Sequence, residues 1–581
     1  MDIFSILTLC GGLAFFLYGM NVMSSGLEKL AGGKLEQMLK RMTSNPFKSL
    51  VLGAGITIAI QSSSAMTVML VGLVNSGIMQ LSQTIGVIMG SNVGTTLTAW
   101  ILSLAGIESE NPFIRLLKPD SFSPVLALIG IIMIMAAKSS KKKSIGSIFV
   151  GFAVLMYGME LMGDAMKPLQ EMEGFSDILL MFNNPLLGVL VGAAFTGIIQ
   201  SSAASVGILQ TISMSGSLTY GMALPIIMGQ NIGTCVTALL SSIGVNKNAK
   251  RVAVVHISFN LIGTAVCLAV FYGLDAILHF TFTDTSINPI EIAMVHTIFN
   301  VATTAILLPF TKMLEKIARV TVKDDESEIK YSFIDKRLLS TPSVALAECT
   351  ARTVTMANMA KATLNDAIDL LRNYSAKKDE EIRQSENDID TYEDKLGTYL
   401  VLLSAKELSE SDSTQVSKLL HSIGDFERLG DHAVNLVRVA AEINDKRLEF
   451  SEAASAELSV LTKAITDILS LTVDAFEQND LTLAARVEPL EQVIDGLIAD
   501  VKARHVRRLQ AGECTIELGF VLSDILNNYE RISDHCSNIA VTIIEMEHNS
   551  FKTHQYLNQI KTIDQGFMEM YEECRDRYRL V

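Results

Sequence analysis

The chain has 581 residues, 49% of them hydrophobic, and a net charge of −15 that leaves no basic stripe for a nucleic acid to bind. Its seven cysteines include no Cys-x-x-Cys pair, which argues against a disulfide framework or a zinc site. The averages hide two unlike parts: the chain is apolar to about residue 318, and after Lys323 it turns charged and helix-periodic.

Met1-Asp2-Ile3-Phe4-Ser5 lacks the basic start of a cleavable signal, so the first apolar segment is expected to be retained as a helix. Apolar runs such as 51–60, 125–137 and 257–271 reach, with their flanks, the length needed to cross a bilayer. A duplication organises this half. Gln61-Ser62-Ser63-Ser64-Ala65 recurs as Gln200-Ser201-Ser202-Ala203-Ala204, at an offset of 139 (200 − 61). The same offset relates GLAFFLYGM from Gly12 to GFAVLMYGM from Gly151, Asn45-Pro46 to Asn184-Pro185, and GSNVGTT from Gly90 to GQNIGTC from Gly229. Aligned without a gap, 12–103 and 151–242 agree at roughly 30 of about 92 positions, as in transporters built from internal repeats.

Loop charges predict that the two copies insert upside down. The loop 31–49 carries Lys34, Lys40, Arg41 and Lys48 against Glu36, which places it inside; its counterpart 170–188 carries Glu171, Glu173 and Asp177 and no base, which places it outside. Lys138, Lys141, Lys142 and Lys143 read as inside, as do Lys247, Lys250 and Arg251, whereas the stretch around Asp275 and Asp284 reads as outside. Two full crossings between residue 49 and residue 106 would return the chain to the wrong side. One segment must turn back, and Gln61 to Ser64, some 16 Å of helix from the start of theirs, mark the tip of a re-entrant hairpin. Gln200 to Ser202 mark a second, entering from the opposite face.

The next segment of each copy is expected to be interrupted halfway by Gly90-x-Asn92-x-Gly94-Thr95-Thr96 or Gly229-x-Asn231-x-Gly233-Thr234, glycines loosening a helix and Asn and Thr offering oxygens. Two more apolar segments share His256-x-x-Phe259-Asn260 and His296-x-x-Phe299-Asn300, with His and Asn on one helical face. Broken helix ends suit an anion at free N–H groups and a sodium ion at free carbonyls, and neutral hydroxyl and amide oxygens suit both. Small-residue packing between membrane helices explains one such run alone, but the paired, opposed copies favour a transport site. Glu160, Asp164 and Glu291 are acids within or beside apolar segments and are further candidates.

The doubled Gln-Ser-Ser motif with its Gly-x-Asn-x-Gly-Thr partner resembles the type II sodium/phosphate cotransporter family over residues 1 to about 318. The resemblance implies sodium-coupled transport of inorganic phosphate. It places substrate and sodium at Gln61, Ser62, Ser63, Ser64, Asn92, Thr95, Thr96, Gln200, Ser201, Ser202, Asn231, Thr234, Asn260 and Asn300. Ala203, where the first copy has Ser64, removes one ligand. A phosphate exporter or overflow valve of the same architecture, and a membrane sensor that does not transport, are the rival readings. An enzyme is not expected.

After the connector 319–342, residues 343–581 read as long amphipathic helices with no strand alternation. A second duplication appears here: Glu427-Arg-Leu-Gly-Asp431-His432 recurs as Glu530-Arg-Ile-Ser-Asp534-His535, an offset of 103 (530 − 427), and Glu386-x-x-Ile389-Asp390 recurs as Glu491-x-x-Ile494-Asp495. Two three-helix units follow from this. Carboxylates spaced i, i+4 can ligate a hard cation or form a hydrated face with their Arg and His neighbours. The doubled motif resembles PhoU, a helical phosphate-signalling protein, which implies divalent or trivalent metal ions at Glu427, Asp431, Glu530 and Asp534. The expected whole is all-α. A membrane domain over 1–318 comprises repeats of about 1–140 and 141–250 and two further helices over 251–318, and a cytoplasmic PhoU-like domain follows. The expected location is the inner membrane, and a homodimer is compatible with this architecture.

Overall fold

A computed structural model of the chain describes residues 3–31, 45–106, 119–166, 184–323, 333–547 and 565–580. The loops whose charges predict opposite insertion of the two copies, 31–49 and 170–188, and part of the charged connector fall largely outside the described residues. The chain divides into two compact units, Met1–Val344 and Ala345–Val581. Among the described residues both units are helical, and six helices of the first are long and apolar enough to cross a membrane.

The first unit opens with α1 (Ile3–Ala31), followed by the short pair α2 (Pro46–Ile60) and α3 (Ser63–Asn75), then α4 (Leu81–Ser103), α5 (Pro119–Ala136) and α6 (Ser140–Met166). The second copy gives α7 (Pro185–Ile199), α8 (Ser202–Ser213), α9 (Tyr220–Gly233) and α10 (Cys235–Ser241), and then come α11 (Lys247–Leu278), α12 (Pro289–Leu307) and α13 (Thr311–Thr321). Helices α2 and α7 each have 15 residues, about 22 Å of helix, less than the hydrocarbon thickness of about 30 Å. Each starts the same way: the side chain of Asn45 or Asn184 accepts backbone N–H bonds from the first turn, and proline follows at the first helical position.

The two copies interlock. Helix α8 of the second copy packs with α1, α4 and α6 around Phe16, Leu102, Leu155, Met159 and Ala204, and its other side packs with α4, α9 and α12 around Ala99, Val206, Leu209 and Ile227. Conversely, α3 of the first copy packs against α10 and α11.

The expected halfway break in α4 is absent. The helix runs unbroken through Gly90 to Thr96, and in the second copy only Thr234, itself in helical conformation, separates α9 from α10. The glycines serve close approach instead: a Cβ on Gly90 would lie 1.9 Å from the Leu50 carbonyl oxygen of α2, and one on Gly229 would lie 2.1 Å from that of Val189 on α7. Backbones that close leave no room for any side chain.

The second unit contains two three-helix bundles. The first is α14 (Pro342–Leu370), α15 (Ala376–Ser404) and α16 (Glu410–Lys446); the second is α17 (Glu452–Gln478), α19 (Val487–Gln510) and α20 (Ile516–Glu547), with a short α18 (Leu481–Ala484) and a final α21 (Gln565–Arg577). The motif-bearing helices α16 and α20 pack against each other at the junction of the bundles.

Gly90→Ala forces the α2 backbone away and is expected to cost about 1–3 kcal/mol. Gly55→Ala on α2 meets nothing within 4 Å and is expected to be neutral or slightly stabilising. Thermal melts of the two variants in detergent check this; equal melting temperatures would remove the close-approach account.

Candidate functional site

The Gln-Ser-Ser motifs sit at the two helix breaks, and their local geometry repeats almost to the degree. Gln61 (φ 57°, ψ 26°) and Gln200 (φ 58°, ψ 23°) occupy the left-handed region, and their N–H groups donate to the carbonyls of Thr57 and Thr196 at 2.7 Å. That conformation ends α2 and α7 and turns the chain for the next helix. Ser62 and Ser201 are extended, and each caps the helix that follows, accepting from Ala65 N–H at 3.1 Å and Ala204 N–H at 3.2 Å. The first-turn N–H groups of two helices, α3 and α8, are thus directed at the motif residues.

The two motifs meet. Ser63 Oγ and Ser202 Oγ lie 3.3 Å apart and buried, and the Ser64 hydroxyl donates to the Gln200 carbonyl at 3.2 Å. Around this contact the copies differ. The buried Gln61 carboxamide accepts from Thr98 at 2.7 Å, whereas Gln200 is exposed and the hydroxyl oxygen of Thr237, the counterpart of Thr98, is buried without a partner. Thr57 donates to Ser91 at 2.8 Å, while its counterpart Thr196 donates to Ser205 at 2.7 Å. Thr98 and Thr237 were not singled out in the sequence, although the 139-residue offset already pairs them and each stands 37 residues after its Gln (98 − 61; 237 − 200).

Of the other expected ligands, Asn92 donates to the side chain of Asn260 at 2.9 Å, which joins α4 to α11. Asn260 in turn donates to the His256 carbonyl at 3.0 Å and stands 3.3 Å from Cys235 Sγ. Thr95, Thr96 and Thr234 are buried and donate to carbonyls of their own helices, which leaves their lone pairs for a cation. Asn231 and Asn300 are also buried, but their amide groups bond one turn back on their own helices, to Ile227 and His296. Glu291 forms a capping box with Asn288 at the start of α12, a structural role.

In the second unit the acidic stripes differ between the copies. Burial first, and then the charge of Asp431, hold the Glu427 carboxyl above the usual carboxylate range, with Arg428 opposing and Glu393 and Asp390 adding to the effect. Burial and the charges of Asp431 and Asp390 raise Glu386 of the neighbouring helix in the same way. In the second copy Lys502 lies 3.4 Å from Glu530, and Arg531 lies 3.3 Å from Asp534. In the first copy Arg428 lies 3.0 Å from Asp431 and 3.5 Å from Glu427, so the stripes differ by Lys502, an additional cation that the second has at Glu530. Among the described residues no group of three or more His, Cys, Asp or Glu side chains converges closely enough to hold a metal ion. The motif histidines exchange partners across the junction: His432 Nδ1 is 2.8 Å from Asn528, and His535 Nδ1 is 2.9 Å from Asp425.

Polar helix breaks that meet among membrane-length apolar helices mark a membrane protein with a polar site in its interior. The sequence matches the Na+/Pi-cotransporter family over residues 15–164 and 154–291, and the PhoU domain over 353–440 and 458–543. It is 24% identical over 551 residues to YjbB of Escherichia coli (strain K12), whose name assigns it provisionally to inorganic phosphate export; that match covers 93% of this chain and 98% of the relative. It is 30% identical to the uncharacterized protein YqeW of Bacillus subtilis over 44% of this chain and 79% of the relative. It is 38% identical to sodium-dependent phosphate transport protein 2A of Rattus norvegicus over 18% of this chain and 17% of the relative. The chain belongs to the Na+/Pi-cotransporter family and carries two PhoU domains after its membrane part.

Glu427 and Glu386 have raised pKa values, so the stability these two contribute is present at low pH and is lost as pH rises through those values. Glu427→Gln removes that loss and is expected to raise the melting temperature in metal-free buffer at neutral pH. Glu530→Gln, which strips Lys502 of its partner, is expected not to raise it. Scanning calorimetry of the full chain decides; a lower melting temperature for Glu427→Gln would contradict the electrostatic account.

Proposed function

We propose that the chain couples sodium to the movement of inorganic phosphate across the cytoplasmic membrane, with phosphate held where the two Gln-Ser-Ser motifs meet. The observation that carries this is the 3.3 Å approach of Ser63 and Ser202 between two capped helix N-termini. Hydroxyls and first-turn N–H groups give an oxyanion donors without a fixed cation, which leaves sodium to supply the positive charge. Side-chain oxygens of Gln61, Ser64, Asn92, Thr95, Thr96 and Thr234 form the sodium-binding surroundings, with Asn231, Asn260 and Asn300 behind them. The pairs α2–α3 and α7–α8 act as re-entrant hairpins from opposite faces, a reading supported by their short helices and meeting tips. The PhoU part is cytoplasmic and regulatory, and the first acidic stripe, around Glu427 and Asp431, is its better metal seat because Arg428 alone bridges it, whereas the second also holds Lys502.

Charge sets the coupling. Each elementary charge crossing 100 mV is worth about 2.3 kcal/mol, so divalent phosphate entering a negative interior needs more than two sodium ions for electrical assistance. The sodium gradient then drives uptake. Net export is the second reading, favoured by the likeness to YjbB along both halves of the chain.

Radiolabelled phosphate flux in proteoliposomes tests this, with sodium gradients imposed in each direction. Flux is expected to follow the gradient, and Ser63→Ala with Ser202→Ala is expected to weaken phosphate affinity by about 10–100-fold, the worth of hydrogen bonds to a charged group. Flux indifferent to sodium would end the coupling claim, and an unaffected double variant would move phosphate elsewhere.

A further inference from the structure

The segment after α13 was expected only to link the two halves, yet its described end is buried against the first unit. Residues 336–340 form a 3-10 helix capped by Asp335, whose side chain accepts from Arg337 N–H at 2.8 Å. Asp335 is 3% exposed. Its carboxylate accepts from the Asn75 side chain at 2.5 Å and from Arg337 at 3.1 Å, and its own N–H donates to Ser76 Oγ at 3.1 Å. Asn75 and Ser76 are the last residue and the C-cap of α3. The Asn75 side-chain oxygen accepts from Asn246 N–H at 2.8 Å, and Arg337 reaches the Ile243 carbonyl at 2.6 Å, so the same cluster grips the loop between α10 and α11. Leu338 is fully buried, and a Cβ on Gly72 of α3 would lie 2.9 Å from it.

Helix α3 has 13 residues, about 20 Å of helix, with the serine motif at one end and this cluster at the other. The second copy has no equivalent: Asn75 corresponds to Met214, which is 42% exposed at the end of α8. The cluster is therefore not a requirement of the repeated architecture. From Leu338 the hydrogen-bonded chain runs through Thr341 into α14, whose body belongs to the second unit.

We propose that residues 333–341 are a restraining strap on the first hairpin: they fix the far end of α3 to the α10–α11 loop, and releasing them frees the first serine motif and not the second. By chain continuity, any displacement of α14 acts on this strap first. A buried carboxylate joined to a side-chain amide, a backbone N–H and a guanidinium holds or lets go as a unit, which suits a two-position device. For its effect on flux the proposal rests on the transport reading.

Two variants of the full chain test it. Asp335→Ala removes the hub, and Asn75→Met installs the residue that the fold already accepts at the end of α8. In both, hydrogen exchange at the amides of Gly72 to Ser76 is expected to quicken on the order of tenfold while residues 202–213 stay unchanged. Phosphate flux in proteoliposomes is expected to rise several-fold at unaltered phosphate affinity. Met214→Asn, the mirror substitution, is expected to change neither reading. Equal exchange in wild type and both variants overturns the strap, and so does quicker exchange with unchanged or lower flux. A wild type that moves no phosphate sinks the transport reading alone. The exchange comparison then decides the strap by itself, quicker exchange in both variants upholding it.

Discussion

At each of the two motifs one helix ends and another begins, and the backbone groups at those ends must find partners. The Gln-Ser pair meets that demand in both copies with the same two moves: a left-handed glutamine that closes one helix and an extended serine that caps the next. For a residue with a Cβ, the left-handed conformation costs about 1–2 kcal/mol, which glycine would avoid. At Gln61 the glutamine side chain offsets that strain by its bond with Thr98. The site exists because the helices stop there.

The interlocking of the copies follows from those stops. With each helix pair broken at its motif, α8 fills a space among the helices of the first copy and α3 a space beside those near the end of the second. A shift of either short helix must disturb the packing of the opposite repeat. The differing surroundings of Gln61 and Gln200, one engaged and buried, the other exposed, show that copies alike in backbone differ in their side-chain contacts.

Much of this could be read from residues. Asn-Pro at the start of each short helix and Gln-Ser-Ser at its end are local signals, because caps and left-handed turns depend on adjacent positions. The repeat itself needed only the constant offset. Where the sequence misled, a local reading was given to a long-range constraint: Gly90 and Gly94 looked like helix breakers and instead admit the α2 backbone. Thr98 and Asp335 escaped notice because their partners, Gln61 and Asn75, are distant in the chain, 37 residues away for the first and 260 for the second. The acidic stripes were visible, but Lys502, which distinguishes the second from the first, comes from another helix.

The exchange of partners between His432 and His535 bears on what the second unit can be reduced to. Each histidine takes its hydrogen bond from the other repeat, Asn528 for one and Asp425 for the other, and those two partners occupy matching positions. The pattern is that of two like repeats related by a local twofold, with an acid at one partner position and an amide at the other. A single bundle cut from the chain would leave its imidazole without its mate, so the smallest piece that keeps both bonds is the pair.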